Sequence, residues 1–214
     1  MDFLSPDLQR YAEAHTHPES PLLKKLDRET NLKVLFPKMI SGHLQGRILS
    51  MLSHMIKPNR ILEIGTYTGY SAICLAEGLA AGGRIITIDQ NRELSDIVDH
   101  YLKEVGIREQ VEMKLGAALD IIPTLEGPFD LVFLDADKIN YSYYFDLIVD
   151  KVPPGGYILA DNVLWYGKVI SPEHSKSDKE TQAIIEFNQK VHQDQRVENV
   201  LLPVRDGLMI LRKL

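Results

Sequence analysis

Four acids, Glu63, Asp89, Asp135 and Asp161, stand at or near the ends of short apolar runs at 60–64, 84–89, 129–135 and 157–161. Such runs read as buried parallel strands, and ligands of a doubly wound sheet lie beyond the strands' carboxyl ends. A single strand-ending acid caps a helix or makes a turn; four on one rim point to chemistry. Asp89 is placed to accept hydrogen bonds from the hydroxyls of an adenosine ribose, which serves dinucleotide and methyl-donor folds alike. Glu63 precedes Gly65-Thr-Tyr-Thr-Gly69, so the Gly-x-Gly-x-x-Gly dinucleotide fingerprint is missing. A carboxylate there repels a pyrophosphate and suits a ligand bearing an amine or sulfonium, which favours S-adenosyl-L-methionine. Asp135 together with Asp161-Asn162 offers hard oxygen donors suited to Mg²⁺ or Ca²⁺. Zinc would want His or Cys, and neither is clustered here. The pair Asp161-Asn162 also reads as a polar turn after a buried strand. Lys138, three residues beyond Asp135, reads as a general base at the same site or as a solvated surface lysine.

These residues need a scaffold that brings strand ends together. Between the strands, helices are expected over 92–104, 140–151 and 178–193, with another opening at Ser71. Gly69 is expected to let the turn before it pass close to the ligand. The β/α alternation with right-handed crossovers gives an α/β fold with a mostly parallel, Rossmann-like sheet. The Arg205-Asp206-Gly207 tip marks the last two strands as an antiparallel hairpin. Three helices, over 3–14, 20–35 and 43–56, precede the first strand. Residues 1–214 form one expected domain, with a helical cap over 1–57 and a core over 58–214. Leu22, Leu23, Leu26 and Leu32 give the second helix an apolar face that caps the cleft or pairs with another subunit.

Composition narrows the partners. The formal net charge of -6 over 214 residues argues against nucleic acid or an anionic membrane as the main partner. One cysteine, Cys74, excludes an intramolecular disulfide framework and fits a reducing compartment. No apolar run reaches the roughly 18 residues that a membrane span needs, and a cytoplasmic protein is expected.

Leu-Glu-Ile-Gly-Thr-Tyr-Thr-Gly-Tyr-Ser71, Phe-Leu-Asp-Ala-Asp-Lys138-Ile-Asn-Tyr141 and Gly-Gly-Tyr-Ile-Leu-Ala-Asp-Asn-Val-Leu-Trp165 occur in this order. Together they resemble the cation-dependent O-methyltransferases, the family of caffeoyl-CoA and catechol O-methyltransferases and their bacterial relatives. The resemblance runs from about Met39 to the C-terminus. It implies a seven-stranded methyltransferase fold, S-adenosyl-L-methionine as methyl donor, and a divalent cation (Mg²⁺, Ca²⁺ or Mn²⁺). Asp135, Asp161 and Asn162 would hold the cation, with Lys138 as catalytic base and Asp135 beside it. Glu63, Gly65, Tyr67, Ser71 and Asp89 would hold the cofactor, flanked by Ser41, Ala117 and Ala118, with Asp135 also at its edge. The acceptor would be a small aromatic vicinal diol, contacted by His43, Trp165 and Tyr166, and the assembly a homodimer. Tyr166 departs from the asparagine of the plant enzymes, which bears on the identity of the acceptor. The alternatives are a methyltransferase acting on a non-catechol acceptor and an NAD-dependent oxidoreductase.

Overall fold

Residues on alternate faces of each central strand separate into two cores, as the two-residue period of a strand requires. In β1 (Arg60–Ile64), Ile61 packs with one buried cluster, while Leu62 and Ile64 pack with the other. In β4 (Leu131–Leu134), Leu131 and Phe133 face the first cluster, Val132 and Leu134 the second. Helices must therefore cover both faces. The computed structural model describes residues 5–171 and 178–214. Its sheet runs β3-β2-β1-β4-β5-β7-β6, with β2 (Arg84–Asp89), β3 (Val111–Leu115), β5 (Tyr157–Asp161), β6 (Val197–Leu202) and β7 (Leu208–Lys213). Strands β1 to β5 pair in parallel, and β7 is antiparallel to both of its neighbours. The expected mostly parallel sheet with a closing hairpin is what forms.

The chain leaves β1 toward β2 and β3 on one side and later toward β4 and β5 on the other. Strands β1 and β4 are neighbours, so a crevice opens between their carboxyl ends, where ligands of such sheets bind.

One face is covered by α2 (Pro21–Lys33), α3 (Gly42–Ile56), α4 (Tyr70–Ala76) and α5 (Ser95–Val105). The other carries α6 (Ala118–Ile121), α7 (Tyr141–Ile148) and α8 (Lys179–Gln193). Ser20 opens α2 by accepting from the Leu23 amide, with Pro21 in the first turn. Gly106 closes α5 in the left-handed region. Leu23 and Leu26 of α2 are fully buried in the same cluster as Ile61 and Ile85, so this helix is packed on the sheet. Leu32, expected on the same face, is 72% exposed; six positions after Leu26 place it about 120° round the helix from the buried face of Leu23, Leu26 and Thr30. The preceding helix α1 (Pro6–Ala14) buries none of its residues. The start of that helix at residues 3 and 4, and 172–177 of the loop expected over 163–177, lie outside the described residues. Among the described residues, no helix is long and apolar enough to cross a membrane.

Candidate active site

Gly65 marks where β1 meets β4. It takes φ +104°, and a Cβ there would lie 1.9 Å from the carbonyl oxygen of Asp135, so any side chain would force the two strand ends apart. The following turn brings the Tyr67 amide to Asp89 at the end of β2, donating to Oδ2 at 2.7 Å, while the Asn91 amide donates to Oδ1 at 2.8 Å. Both oxygens of Asp89 are thereby steadied, and each keeps a further acceptor position.

A cleft of about 1420 Å³ opens over this turn, larger than the roughly 300–1,000 Å³ of a single small-molecule pocket. It has room for two ligands side by side. Gly65, Tyr67, Ser71, Asp89 and Ala118 line it on the β1–β2 side. Asp135, Lys138, Asp161, Asn162, Trp165 and Tyr166 line it on the β4–β5 side. The segment between α2 and α3 forms a further wall, with Phe36, Met39 and Ser41; the Tyr67 hydroxyl donates to the Phe36 carbonyl oxygen at 3.3 Å.

The β4–β5 wall carries a tight polar network. Lys138 is only 7% exposed, so it is not a solvated surface lysine. Its Nζ donates to Asp135 Oδ1 at 3.0 Å and to the Tyr141 hydroxyl at 2.7 Å, and lies 6.0 Å from the centre of the Trp165 ring. The Tyr141 hydroxyl in turn faces the Asp161 carbonyl oxygen at 3.0 Å and that of Leu134 at 3.2 Å. Burial holds the Tyr141 phenol well above its ordinary pKa, so it stays neutral. Asp161 accepts from Gln45 Nε2 at 2.6 Å. Its carboxyl is pushed up to about 6, first by burial and then by the charge of Asp135.

Among the described residues, no group of three or more His, Cys, Asp and Glu could hold a metal ion. The donor set here is instead two carboxylates and one amide, Asp135, Asp161 and Asn162, all on one wall of the cleft. Two mutually repelling carboxylates, one of them buried, are what a divalent cation would relieve. Hard oxygen donors too few to fill a shell suit Mg²⁺ or Ca²⁺, which accept water and substrate oxygens as well. The residues fit the group.

The model of the O-methyltransferase family matches residues 12–214. This chain belongs to that family. The methyltransferase is 33% identical over 216 residues to caffeoyl-CoA O-methyltransferase 5 of Nicotiana tabacum, covering 96% of this chain and 90% of the relative. A methyltransferase of Podospora anserina, solved bound to SAH, superposes with a TM-score of 0.89 at 31% identity, covering 97% of this chain and 94% of that one. The O-methyltransferase TomG of Streptomyces achromogenes, involved in tomaymycin synthesis and solved with SAM, gives a TM-score of 0.87 at 30% identity, covering 97% and 96%. The sheet is thus a Rossmann-like seven-stranded methyltransferase sheet, and family membership sets the oxidoreductase alternative aside.

Several expected site residues of the methyltransferase sit elsewhere. Glu63 does not line the cleft: it is fully buried in β1, accepting from the Thr87 hydroxyl at 2.6 Å. Burial pushes its carboxyl up to about 7, against the lowering pull of the Ser71 and Thr87 hydroxyls. The alternation of β1 explains this, because Glu63 points between the sheet and its helices and not out of the strand end. His43 turns away from the cleft and binds the His17 carbonyl oxygen through Nε2 at 2.8 Å. Ala117 precedes α6 and is absent from the cleft wall, where Gly116 and Ala118 stand. Gly69, at φ +83°, faces Val98 and approaches no ligand space. Of the tyrosines after Lys138, Tyr141 and Tyr144 are buried and Tyr143 is exposed. Two residues of the site carry no local signal in the sequence: Arg205 at the hairpin tip, which lines the cleft, and Gln45, buried in α3 behind it, whose Oε1 accepts from Arg205 Nη1 at 2.7 Å. Cys74 is buried in α4, and burial pushes its thiol up to about 12, leaving it inert.

Proposed function

We propose that this O-methyltransferase moves the methyl group of S-adenosyl-L-methionine to one hydroxyl of a vicinal diol on a small aromatic molecule, with a divalent cation at Asp135, Asp161 and Asn162. The observation that carries this reading is the convergence of Asp135, Lys138, Asp161 and Asn162 on one wall of a two-ligand cleft whose opposite side holds Ser71 and Asp89. The relatives solved with SAH and SAM support the cofactor. The caffeoyl-CoA enzymes support the acceptor class.

When bound, S-adenosyl-L-methionine supplies the methyl group, and the cation supplies positive charge that favours a deprotonated acceptor oxygen. Asp89, steadied by two amides, accepts hydrogen bonds from the ribose hydroxyls, and Ser41, Ser71 and Ala118 border the same ligand. Lys138, positioned by Asp135 and Tyr141, would take the proton from the acceptor hydroxyl as the neutral amine, its own extra proton having first left to solvent. Trp165 and Tyr166 offer flat surfaces to the aromatic ring. Holding both partners in one cleft removes much of the entropic barrier to their meeting.

The deciding experiment is methyl transfer to caffeic acid and to its CoA ester, with EDTA and after Mg²⁺ is restored. EDTA should abolish turnover and Mg²⁺ should recover it, while Asp161→Ala stays inactive with its cofactor still bound. Turnover indifferent to EDTA would sink the metal, and binding of cofactor with no diol methylated would sink the acceptor class. A homodimer is part of the same proposal. Leu8 and Tyr11 of α1 and Met51 and Met55 of α3 are exposed apolar side chains on two helices in contact, a surface suited to pairing. Sedimentation equilibrium should give twice the 24.3 kDa chain mass; a monomer at tens of micromolar would overturn it.

A further inference from the structure

Arg205 stands at φ +50°, in the left-handed region, which glycine adopts freely and a residue with a Cβ does not. Strain of this kind gathers at functional sites. Its side chain reaches the cleft wall, and the hairpin tip that carries it is locked to the acceptor side. The Val163 and Leu164 amides donate to the carbonyl oxygens of Gly207 at 3.2 Å and Asp206 at 2.9 Å, and the Tyr166 amide donates to Asp206 Oδ1 at 2.5 Å. Arg205 is therefore held in register with Trp165 and Tyr166.

The cleft's other cations are mostly spoken for: Lys33 pairs with Glu29 and Lys138 with Asp135. Arg205 has no carboxylate partner among the described residues, and its one side-chain hydrogen bond there runs to Gln45. Gln45 is buried between opposite charges and turns its carbonyl to Arg205 and its amide nitrogen to Asp161, the orientation that suits both. This neutral spacer keeps Arg205 out of direct contact with Asp161. It also leaves most of the guanidinium's five-donor fork unused, a shape that matches a carboxylate.

We propose that Arg205 is a specificity residue that receives a carboxylate on the acceptor, so that this methyltransferase prefers diols carrying a free acid over neutral diols. The proposal rests on the diol reading above. An aromatic acid such as caffeate would lay its ring along Trp165 and Tyr166, its diol toward Asp161 and Asn162, and its carboxylate on the open side of Arg205.

The test compares caffeate with methyl caffeate, which differ only in that charge, on the full chain with S-adenosyl-L-methionine and Mg²⁺. Steady-state kinetics and calorimetric binding are measured for the wild type, Arg205→Gln and Arg205→Lys. The wild type should favour caffeate. In Arg205→Gln the caffeate-over-ester ratio of kcat/KM should fall about 10–100-fold, the usual worth of a charge-assisted hydrogen bond. The loss should sit mainly in KM, and Arg205→Lys should recover part of it. Equal loss on both acceptors would overturn the proposal, because it would mean that Arg205 acts only by steadying Gln45 and Asp161. An unchanged ratio, or a wild type that favours the ester, would overturn it too. Should neither diol be methylated, binding still decides: a caffeate preference lost in Arg205→Gln sustains the anion site while the reaction reading falls, and no preference ends both.

Discussion

Glu63 lies in the sheet interior with its carboxyl pushed up to about 7 by burial, against an ordinary value of 4.5. At pH 5 the folded protein keeps this group neutral at little cost. As pH rises toward and through 7, the unfolded chain has already released the proton and the folded chain must ionise a buried acid, so stability is lost over that window. The shift corresponds to about 3 kcal/mol at most. Glu63→Gln removes the titration. Its melting temperature should exceed that of the wild type at pH 8, and the gap should shrink at pH 5. A gap that does not change with pH would mean that Glu63 keeps its charge inside the fold. Asp89 makes the contrast at the same sheet edge, because its carboxylate is met by two backbone amides and faces the cleft. Two acids of one sequence pattern thus come to different uses through how far along the sheet each falls: Glu63 is paired with Thr87 inside it, and Asp89 lies two residues beyond Thr87 at the end of β2.

At the scale of elements, the approach of β1 to β4 rests on one missing side chain. Gly65→Ala would press a methyl group into the Asp135 carbonyl at 1.9 Å and part the strands that carry the site. Gly82 has a comparable positive φ of +78° but nothing within 4 Å of a Cβ. Gly82→Ala should therefore cost about 1–2 kcal/mol, the backbone penalty alone. Gly65→Ala should cost at least about 4 kcal/mol, in the range reserved for core disruption. Urea denaturation of the two variants separates backbone strain from collision; equal costs would show that β1 and β4 can part without loss.

For the molecule as a whole, the helices ahead of the sheet are unequal partners in the fold. Leu26 of α2 is fully buried against the same cluster as the central strands, and Leu26→Ala should cost about 2–5 kcal/mol. Leu32, six residues on, is exposed, and Leu32→Ala should stay within about 0.5 kcal/mol. Thermal and urea unfolding of both variants would check this, and similar small losses would mean that α2 opens independently of the sheet. Because the segment after α2 walls the cleft through Phe36, Met39 and Ser41, loosening α2 should also weaken ligand binding.

The β/α alternation, the antiparallel hairpin and the acids at strand ends were legible in the chain, because hydrophobic periodicity and turn residues are local signals fixed by backbone geometry. So were Asp135, Lys138, Asp161 and Asn162 as neighbours, since the sheet rule carries strand ends to one rim. What locality could not supply was direction and company. Glu63 falls inward because it pairs with Thr87 inside the sheet under the covering helices, and Asp89 faces the cleft because it ends β2 two residues further along. His43 turns to the His17 carbonyl because α3 packs beside the chain that follows α1. Gln45 and Arg205, far apart in sequence, meet beside Asp161 only once β7 closes against β5. Contacts across such separations depend on how the faces of whole elements pack, and only the tertiary structure decided them.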